Sequence, residues 1–223
     1  DPIEYAISGI NQSQMKPEIG YGFAEALRQV LRQDPNIIMV GEIRDEETAN
    51  LVTHSALTGH IVLSTLHTNS AVGVIPRLID MGIRQFLIPS TLRIAISQRL
   101  IRTLCQVCRK KVKMSPKVKE YITKGLEALP LSVKKEFNVG EEIYEANGCK
   151  ECNFKGYKGR MGLFEVLSMN DELTEIILKN PAENMILKAA QKNGMLTMFQ
   201  EGILKVLAGQ TTLDEITRVT QEV

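Results

Sequence analysis

The chain has 223 residues, 43% of them hydrophobic, and a formal net charge of +1 from 27 Lys or Arg against 26 Asp or Glu. That length allows one large domain or a core with a satellite, and the composition is that of a globular chain with ample material for a core. Near-neutral charge argues against a polyanion binder in the bulk, the apolar runs fall far short of the roughly 18 to 20 residues that span a bilayer, and no basic-then-apolar leader is encoded.

In chain order, DPIEY at Asp1 to Tyr5 is followed by SGINQSQMKPEIGYG, whose glycines and Pro17 predict a loop or short hairpin. Phe23, Leu27, Val30 and Leu31 recur at helical spacing until Asp34-Pro35-Asn36 breaks the pattern. Ile37 to Val40 then reads as a buried parallel strand that runs into Gly41-Glu42. Such a strand delivers a carboxylate at its C-terminal end, where α/β sheets place their chemistry. A second helix is expected from near Asp45, whose carboxylate can cap the first amides, to about Leu57, with Gly59 as its stop. Ile61 to Thr65 form another β-branched run, and Asn69 or Ser70 is placed to cap a third helix carrying Val74, Leu78 and Met81. This alternation predicts an α/β fold with a parallel sheet covered by helices.

From Pro89 to Leu104, apolar residues at Leu92, Ile96, Leu100 and Leu104 predict a helix. The composition then shifts: Cys105 to about Gly162 is rich in Lys, Gly and Cys. Beyond Arg160, MGLFEVLSM reads as a strand. Helices are expected over Asp171 to Lys179, Pro181 to Lys192, Met195 to Leu207 and Thr212 to Val219. Thr212 with Glu215 fits a capping box, and Asp171 caps its helix less distinctively. Met185, Leu187, Met195, Met198, Phe199 and Leu207 fall on apolar faces that serve as core or subunit interface. The expected division is therefore 1–104, 105–162 and 163–223.

All four cysteines lie in two C-x-x-C pairs, Cys105 with Cys108 and Cys149 with Cys152. That spacing brings two thiolates to a tetrahedral zinc from each side, and a four-thiolate site with no open position is structural rather than catalytic. Two disulfides are the alternative, disfavoured in a reducing compartment, and neither pair opens a helix in the βαβ setting of a thioredoxin-like motif. The insertion between the pairs need only be a looped-out helical excursion. From Arg99 to Lys124 there are nine Lys or Arg and one acid, Glu120. This run is either a solvated face beside the thiolates or a contact with a partner protein or anionic membrane. The glycines and cations of Gly156 to Leu167 resemble a phosphate-binding turn only weakly. They more readily serve tight turns on the return from the cysteine segment.

DPIEY, IIMVGEIRD and TGHIVLSTLHTNS, in that order, resemble the Asp box, Walker B and His box of the secretion ATPases that drive type II secretion and type IV pilus assembly. The likeness extends to the tetracysteine insertion and the closing TTLDEITRV. A Glu at a strand end, taken alone, more often caps a helix or faces solvent. The resemblance implies instead that Glu42 is the Walker B glutamate acting on water, with Arg44 and Asp45 as supports. It also turns His67, and less directly His60, from structural histidines into parts of the catalytic apparatus, with His54 an ordinary helix residue. Asp1 and Glu4 become the remnant of the Asp box. The implied fold is a partial RecA-like sheet with a zinc-binding tetracysteine subdomain and a C-terminal helical bundle.

No G-x-x-x-x-G-K-[ST] phosphate loop occurs in the 223 residues. The expectation is the C-terminal portion of a cytoplasmic, peripherally membrane-associated motor subunit. As implied by the family, the full subunit uses ATP and Mg²⁺ in a homo-hexamer at the bacterial inner membrane, with platform and adaptor proteins as partners. The portion alone is expected to be inactive. Two other classes stay open: a non-catalytic zinc-stabilised interaction module, and a RecA-like nucleic-acid motor, which the charge and the lack of an aromatic-rich basic face disfavour.

Overall fold

The computed structural model describes residue 3, residues 5–127, residue 129 and residues 139–221. Its contacts divide the chain into two compact units. One comprises 1–68, 72–93 and 169–183, and the other 69–71, 94–168 and 184–223.

In the first unit, Lys16 and Tyr21 form an isolated bridge around a 3-10 turn, the short hairpin expected there. Helix α1 (Phe23–Leu31) leads to strand β1 (Ile37–Val40), helix α2 (Glu46–Leu57) and strand β2 (Ile61–Ser64). The strands pair in parallel, Ile37 opposite Ile61 and Val40 opposite Ser64. Leu27, Ile38 and Val40 form the core with Phe23, Leu51, Val52 and Val62 packed on it. Strand β1 is not buried on both faces, as its unbroken apolar run suggested. Ile38 and Val40 point inward, whereas Ile37 and Met39 are 61% and 76% exposed. Helix α3 (Val74–Asp80) has Gly73 as its N-cap residue in place of the expected Asn69 or Ser70, and Met81 is already the C-cap. Helix α4 (Ile88–Thr91) is a single turn. Helix α6 (Asp171–Lys179) packs on α4 and buries Leu173 and Ile177. Its cap is Asn170, whose side chain accepts from the Leu173 N–H at 2.9 Å, rather than Asp171.

The second unit corrects the largest sequence expectation. Residues Ile94–Leu104 are strand β3, not a helix, paired antiparallel with strand β6 (Tyr157–Ser168). The apolar positions 92, 96 and 100 are four apart, a spacing that places them on one side of a helix and equally on one side of a strand. Local pattern could not break that tie. A strand partner more than fifty residues away did. A register irregularity between Arg102 and Leu104 turns Leu104 inward, where it is 1% exposed, while Leu100 stays outward.

Between the cysteine pairs lie strand β4 (Lys110–Lys113), helix α5 (Pro116–Gly125) and strand β5 (Glu142–Glu145). The expected helical excursion is thus a helix framed by a hairpin. Lys110 opposes Glu145 and Lys113 opposes Glu142, while Val112 meets Ile143 on the inward side. Ser115 caps α5 by accepting from the Val118 N–H. Gly125 ends it where a Cβ would lie 2.4 Å from Ile203 Cδ1 and 2.7 Å from the Phe199 ring, so a larger residue would have to displace these side chains of helix α8 (Met198–Leu207). Helix α7 (Glu183–Lys192) and helix α9 (Leu213–Gln221) complete the unit. Ile122 and Ile143 share one core with Ile101, Leu163, Ile203 and Ile216. The stretches 105–168 and 184–223 therefore pack together around the β3–β6 pair, while 169–183 belong to the first unit.

Candidate functional site

Strand β1 ends at Val40, and Gly41-Glu42 continue along β2: the Thr65 hydroxyl donates to the Gly41 carbonyl at 2.6 Å, and the Ile43 N–H donates to the Thr65 carbonyl at 3.0 Å. These bonds hold Glu42 at the C-terminal edge of the parallel pair. Asp45 starts α2 by accepting from the Thr48 N–H at 2.7 Å, so helix and carboxylate are fixed in one turn of chain. The Glu42 side chain is 4% exposed. Its Oε2 takes Arg44 Nε at 2.6 Å and His67 Nε2 at 3.3 Å. Its Oε1 is buried with no partner among the described residues.

A buried carboxylate oxygen without a donor is costly and rarely left so. The Arg44 guanidinium, aided by His67 and opposed by burial, holds the Glu42 carboxyl below the usual carboxylate range. The group is ionised at neutral pH, with Oε2 held by Arg44 and His67 and Oε1 buried without a partner among the described residues. His67 is 82% exposed and Arg44 66% exposed, so the open side of this cluster carries a cation and an imidazole.

Of the other histidines, His60 lies at the start of β2, the opposite end from His67. Its Nδ1 is 3.1 Å from both the Ser55 carbonyl and the Thr58 hydroxyl. Those partners make it part of the α2–β2 turn. Asp1 and Glu4 lie outside the described residues.

The four cysteine sulfurs converge within 4.8 Å of one another. Sγ distances are 3.9 Å for Cys105 to Cys149, and 3.8 Å for Cys108 to Cys152 and for Cys149 to Cys152. A tetrahedron of thiolates about 2.3 Å from a zinc ion has edges of about 3.8 Å, and three of the six sulfur pairs stand at that spacing. All four are free thiols, which sets aside the two-disulfide alternative. Backbone N–H groups point at the sulfurs: Gly148 to Cys108 at 3.3 Å, and Cys149 and Gly156 to Cys152, each at 3.2 Å. Burial pushes the Cys108 thiol up to about 12. At Cys152 burial acts in the same sense, but the Cys149 and Gly156 N–H groups outweigh it and lower the thiol to about 6. Gly156 has φ +74, and a Cβ there would meet Ala146 at 2.6 Å, so the donor at this turn must be a glycine.

Two buried acids carry bonds that pattern alone did not reveal. Glu215 does not complete the expected capping box. Its N–H does donate to the Thr212 hydroxyl at 3.2 Å, but its carboxylate turns to β3. It accepts from the Arg102 N–H at 2.9 Å, from the Arg102 guanidinium at 2.6 and 2.9 Å, and from Arg218 at 2.8 and 3.1 Å. Glu165, 5% exposed on β6, accepts from the Ala71 N–H at 2.8 Å. Its place in the strand register between Leu163 and Leu167 was the only sequence signal, a charge at an apolar position.

Comparison with known proteins shows the family of the chain. The family model described as type II/IV secretion system protein matches residues 1–218. The chain is 45% identical over 222 residues to a type IV pilus assembly ATPase, PilB, of Thermus thermophilus, covering 100% of the chain and 24% of that protein. It is 44% identical over 222 residues to the type II secretion system ATPase E of Vibrio cholerae, covering 100% of the chain and 42% of that protein. It thus spans less than half the length of these relatives. Among solved structures, the Legionella pneumophila ATPase DotB matches with TM-score 0.64 at 22% identity, over 100% of this chain and 50% of that one. The pilus retraction motor PilT with bound ADP matches with TM-score 0.59 at 24% identity, over 91% and 45%. At such identities these two speak for the fold alone. With nearly its whole length matched by the family model, the chain belongs to the type II/IV secretion system protein family.

Proposed function

We propose that the chain is the C-terminal part of a motor ATPase subunit that couples ATP hydrolysis to pilus or pseudopilus assembly and protein secretion. The observation that carries this is the Glu42 cluster, a buried and ionised carboxylate with one oxygen fixed by Arg44 and His67 and the other unpartnered. In-line attack on a γ-phosphate needs a group that orients the attacking water, and an ionised carboxylate at the C-terminal edge of the parallel pair is such an acceptor. Arg44 keeps the carboxylate charged and in place, and His67 senses the phosphate from the open side. His60 supports the strand that carries His67. ATP and Mg²⁺ supply the phosphoryl group and its charge neutralisation, while Asp1 and Glu4 belong to the adjoining Asp box.

The outward face of β1–β2, with Ile37, Met39, Ile61 and Leu63 between 54% and 76% exposed, suits a RecA-like core whose cover comes from the rest of the subunit. The sulfur cluster holds zinc as a structural cross-link between the β3–β6 hairpin and its insertion. The working assembly is a cytoplasmic homo-hexamer attached peripherally to the bacterial inner membrane, with platform and adaptor proteins as partners and no nucleic acid.

The test is turnover by a longer subunit that includes a phosphate-binding loop. Glu42→Gln keeps the shape of the side chain and removes its charge. ATP binding is expected to survive while turnover falls about a hundredfold, a barrier increase of about 2.7 kcal/mol. His67→Ala is expected to slow turnover less. Unchanged turnover in Glu42→Gln would make the cluster structural and leave the alternative, a non-catalytic zinc-stabilised interaction module.

A further inference from the structure

The metal knuckles carry the most exposed large apolar side chains of the second unit. Val107, inside the first cysteine pair, is 73% exposed, and Phe154, two residues beyond the second, is 72% exposed. Neither belongs to the core of that unit. Phe154 also has φ +58 and follows Asn153 at φ +48. Asparagine tolerates the left-handed region, but a bulky aromatic there is an outlier that persists only when its surroundings dictate it. Here they do: the Phe154 N–H donates to the Cys149 carbonyl at 2.8 Å and the Lys155 N–H to the Cys152 carbonyl at 3.1 Å. The metal turn thus holds an aromatic ring in solvent at a conformational cost.

The charge around these two side chains is predominantly positive, although Glu145 and Glu142 of β5 lie opposite Lys110 and Lys113 and Glu142 pairs with Lys111. From Val107 to Lys113 there are four cations and no acid, and from Cys149 to Arg160 four cations and one acid, Glu151. Some are committed within the fold. Arg109 donates to the Gly209 carbonyl and stacks on Tyr144, and Lys158 pairs with Glu151. Lys110, Lys150 and Lys155 are exposed and have no partner among the described residues. Four thiolates on a divalent ion offset part of this charge and leave a positive excess.

A protein partner is met by a contiguous apolar patch with a polar rim. Single apolar side chains set among unpaired lysines instead match the chemistry of the headgroup boundary. There the ring and the valine enter the acyl edge while ammonium groups meet anionic phosphates. We propose that the two knuckles form a membrane-contact surface for bilayers rich in anionic headgroups, with Phe154 and Val107 inserting and Lys110, Lys150 and Lys155 holding the surface charge. This placement rests on the peripheral association proposed above and assigns it to named residues. Each of the three lysines contributes roughly fivefold to partitioning at low salt.

The chain contains no Trp, so Phe154→Trp introduces one reporter at the knuckle. Zinc-loaded Phe154→Trp chain is titrated with vesicles of phosphatidylglycerol and phosphatidylcholine in equal parts, and with phosphatidylcholine alone. A blue shift of the indole emission and its quenching by brominated lipid are expected with the anionic vesicles only, reversing in about 0.5 M salt, where the Debye length falls to a few ångströms. In co-sedimentation, Phe154→Asp and the double variant Lys150→Glu/Lys155→Glu are expected to lower partitioning at least tenfold. Ile19→Asp, at a 73% exposed apolar position of the first unit, is expected to leave it unchanged. Zinc content and melting temperature, measured on every variant, identify any that lose binding by unfolding.

No partitioning of the folded, zinc-loaded chain overturns the proposal. So does partitioning that Phe154→Asp and the lysine variant leave intact, in which case peripheral association stands but its surface lies elsewhere. Capture of the same lysines by a polyglutamate peptide more tightly than by the vesicles would assign the patch to an acidic protein and overturn it as well. Turnover by the longer subunit is independent of all these outcomes, so failure here and failure of the motor function are separable.

Discussion

Replacing Glu215 by Gln tests how the C-terminal helix is fastened to the β3–β6 hairpin. The Glu215 carboxylate is fully buried and receives five donor contacts, from the Arg102 backbone, the Arg102 guanidinium and Arg218. Burial raises its pKa, but the Arg102 and Arg218 bonds overcome that and lower it from 4.5 to about 2. A depressed folded pKa means stability that is present above the unfolded value and lost as pH falls through the folded one. The difference corresponds to about 3 kcal/mol at neutral pH, about 1 kcal/mol near pH 3 and almost nothing at pH 2.

Glu215→Gln keeps the volume and one acceptor oxygen but has no charge to lose. It is expected to cost about 2 to 3 kcal/mol at pH 7, a fall of roughly 4 to 12 °C in the melting temperature of the transition that involves this unit. The assay is urea unfolding of both chains, followed by circular dichroism, from pH 7 to pH 2. Acid also protonates the thiolates, but that affects both chains alike, so the difference between them isolates Glu215. Curves that stay a constant distance apart from pH 5 to pH 2 would refute the reasoning, since a charge-based contribution must vanish in that window. Arg102 also stacks on Tyr157 at 4.2 Å, and Tyr157 shares the Thr212 hydroxyl at 2.9 Å. Tyr157→Phe is therefore expected to add less than its separate cost when combined with Glu215→Gln.

The sulfur cluster predicts about one zinc per chain by elemental analysis, and removal of one ligand in Cys149→Ser is expected to lower the melting temperature while the β1–β2 unit stays largely folded. Two disulfides in a thiol assay, with no bound metal, would contradict this. The chain of 223 residues is expected to show no appreciable ATP affinity by calorimetry, because the backbone N–H cradle and Lys of a phosphate loop are not encoded in it. Micromolar affinity would point to a second phosphate site, with Lys155 to Arg160 the first place to look.

Most of the first unit was legible in the sequence because its signals are local. Asp45 is a cap with its amide three residues away, Gly59 is a stop with φ +100, and four apolar residues before Gly-Glu specify a strand and its terminal carboxylate. The two C-x-x-C pairs predicted a convergence of sulfurs for the same reason, since two short turns can each present two thiolates to one ion. The tertiary structure alone decided what depends on distant partners. Ile94–Leu104 became a strand because Tyr157–Ser168 lies beside it, although its four-residue spacing suits a helix equally well. Glu215 left its capping box for Arg102, because a buried carboxylate gains more from two guanidinium groups than from one amide at its own helix start. The contact of His67 with Glu42 spans 25 positions and depends on the parallel register of β1 and β2. A sequence specifies the residues that can take part in such contacts, and the pairing of distant segments selects which of them meet.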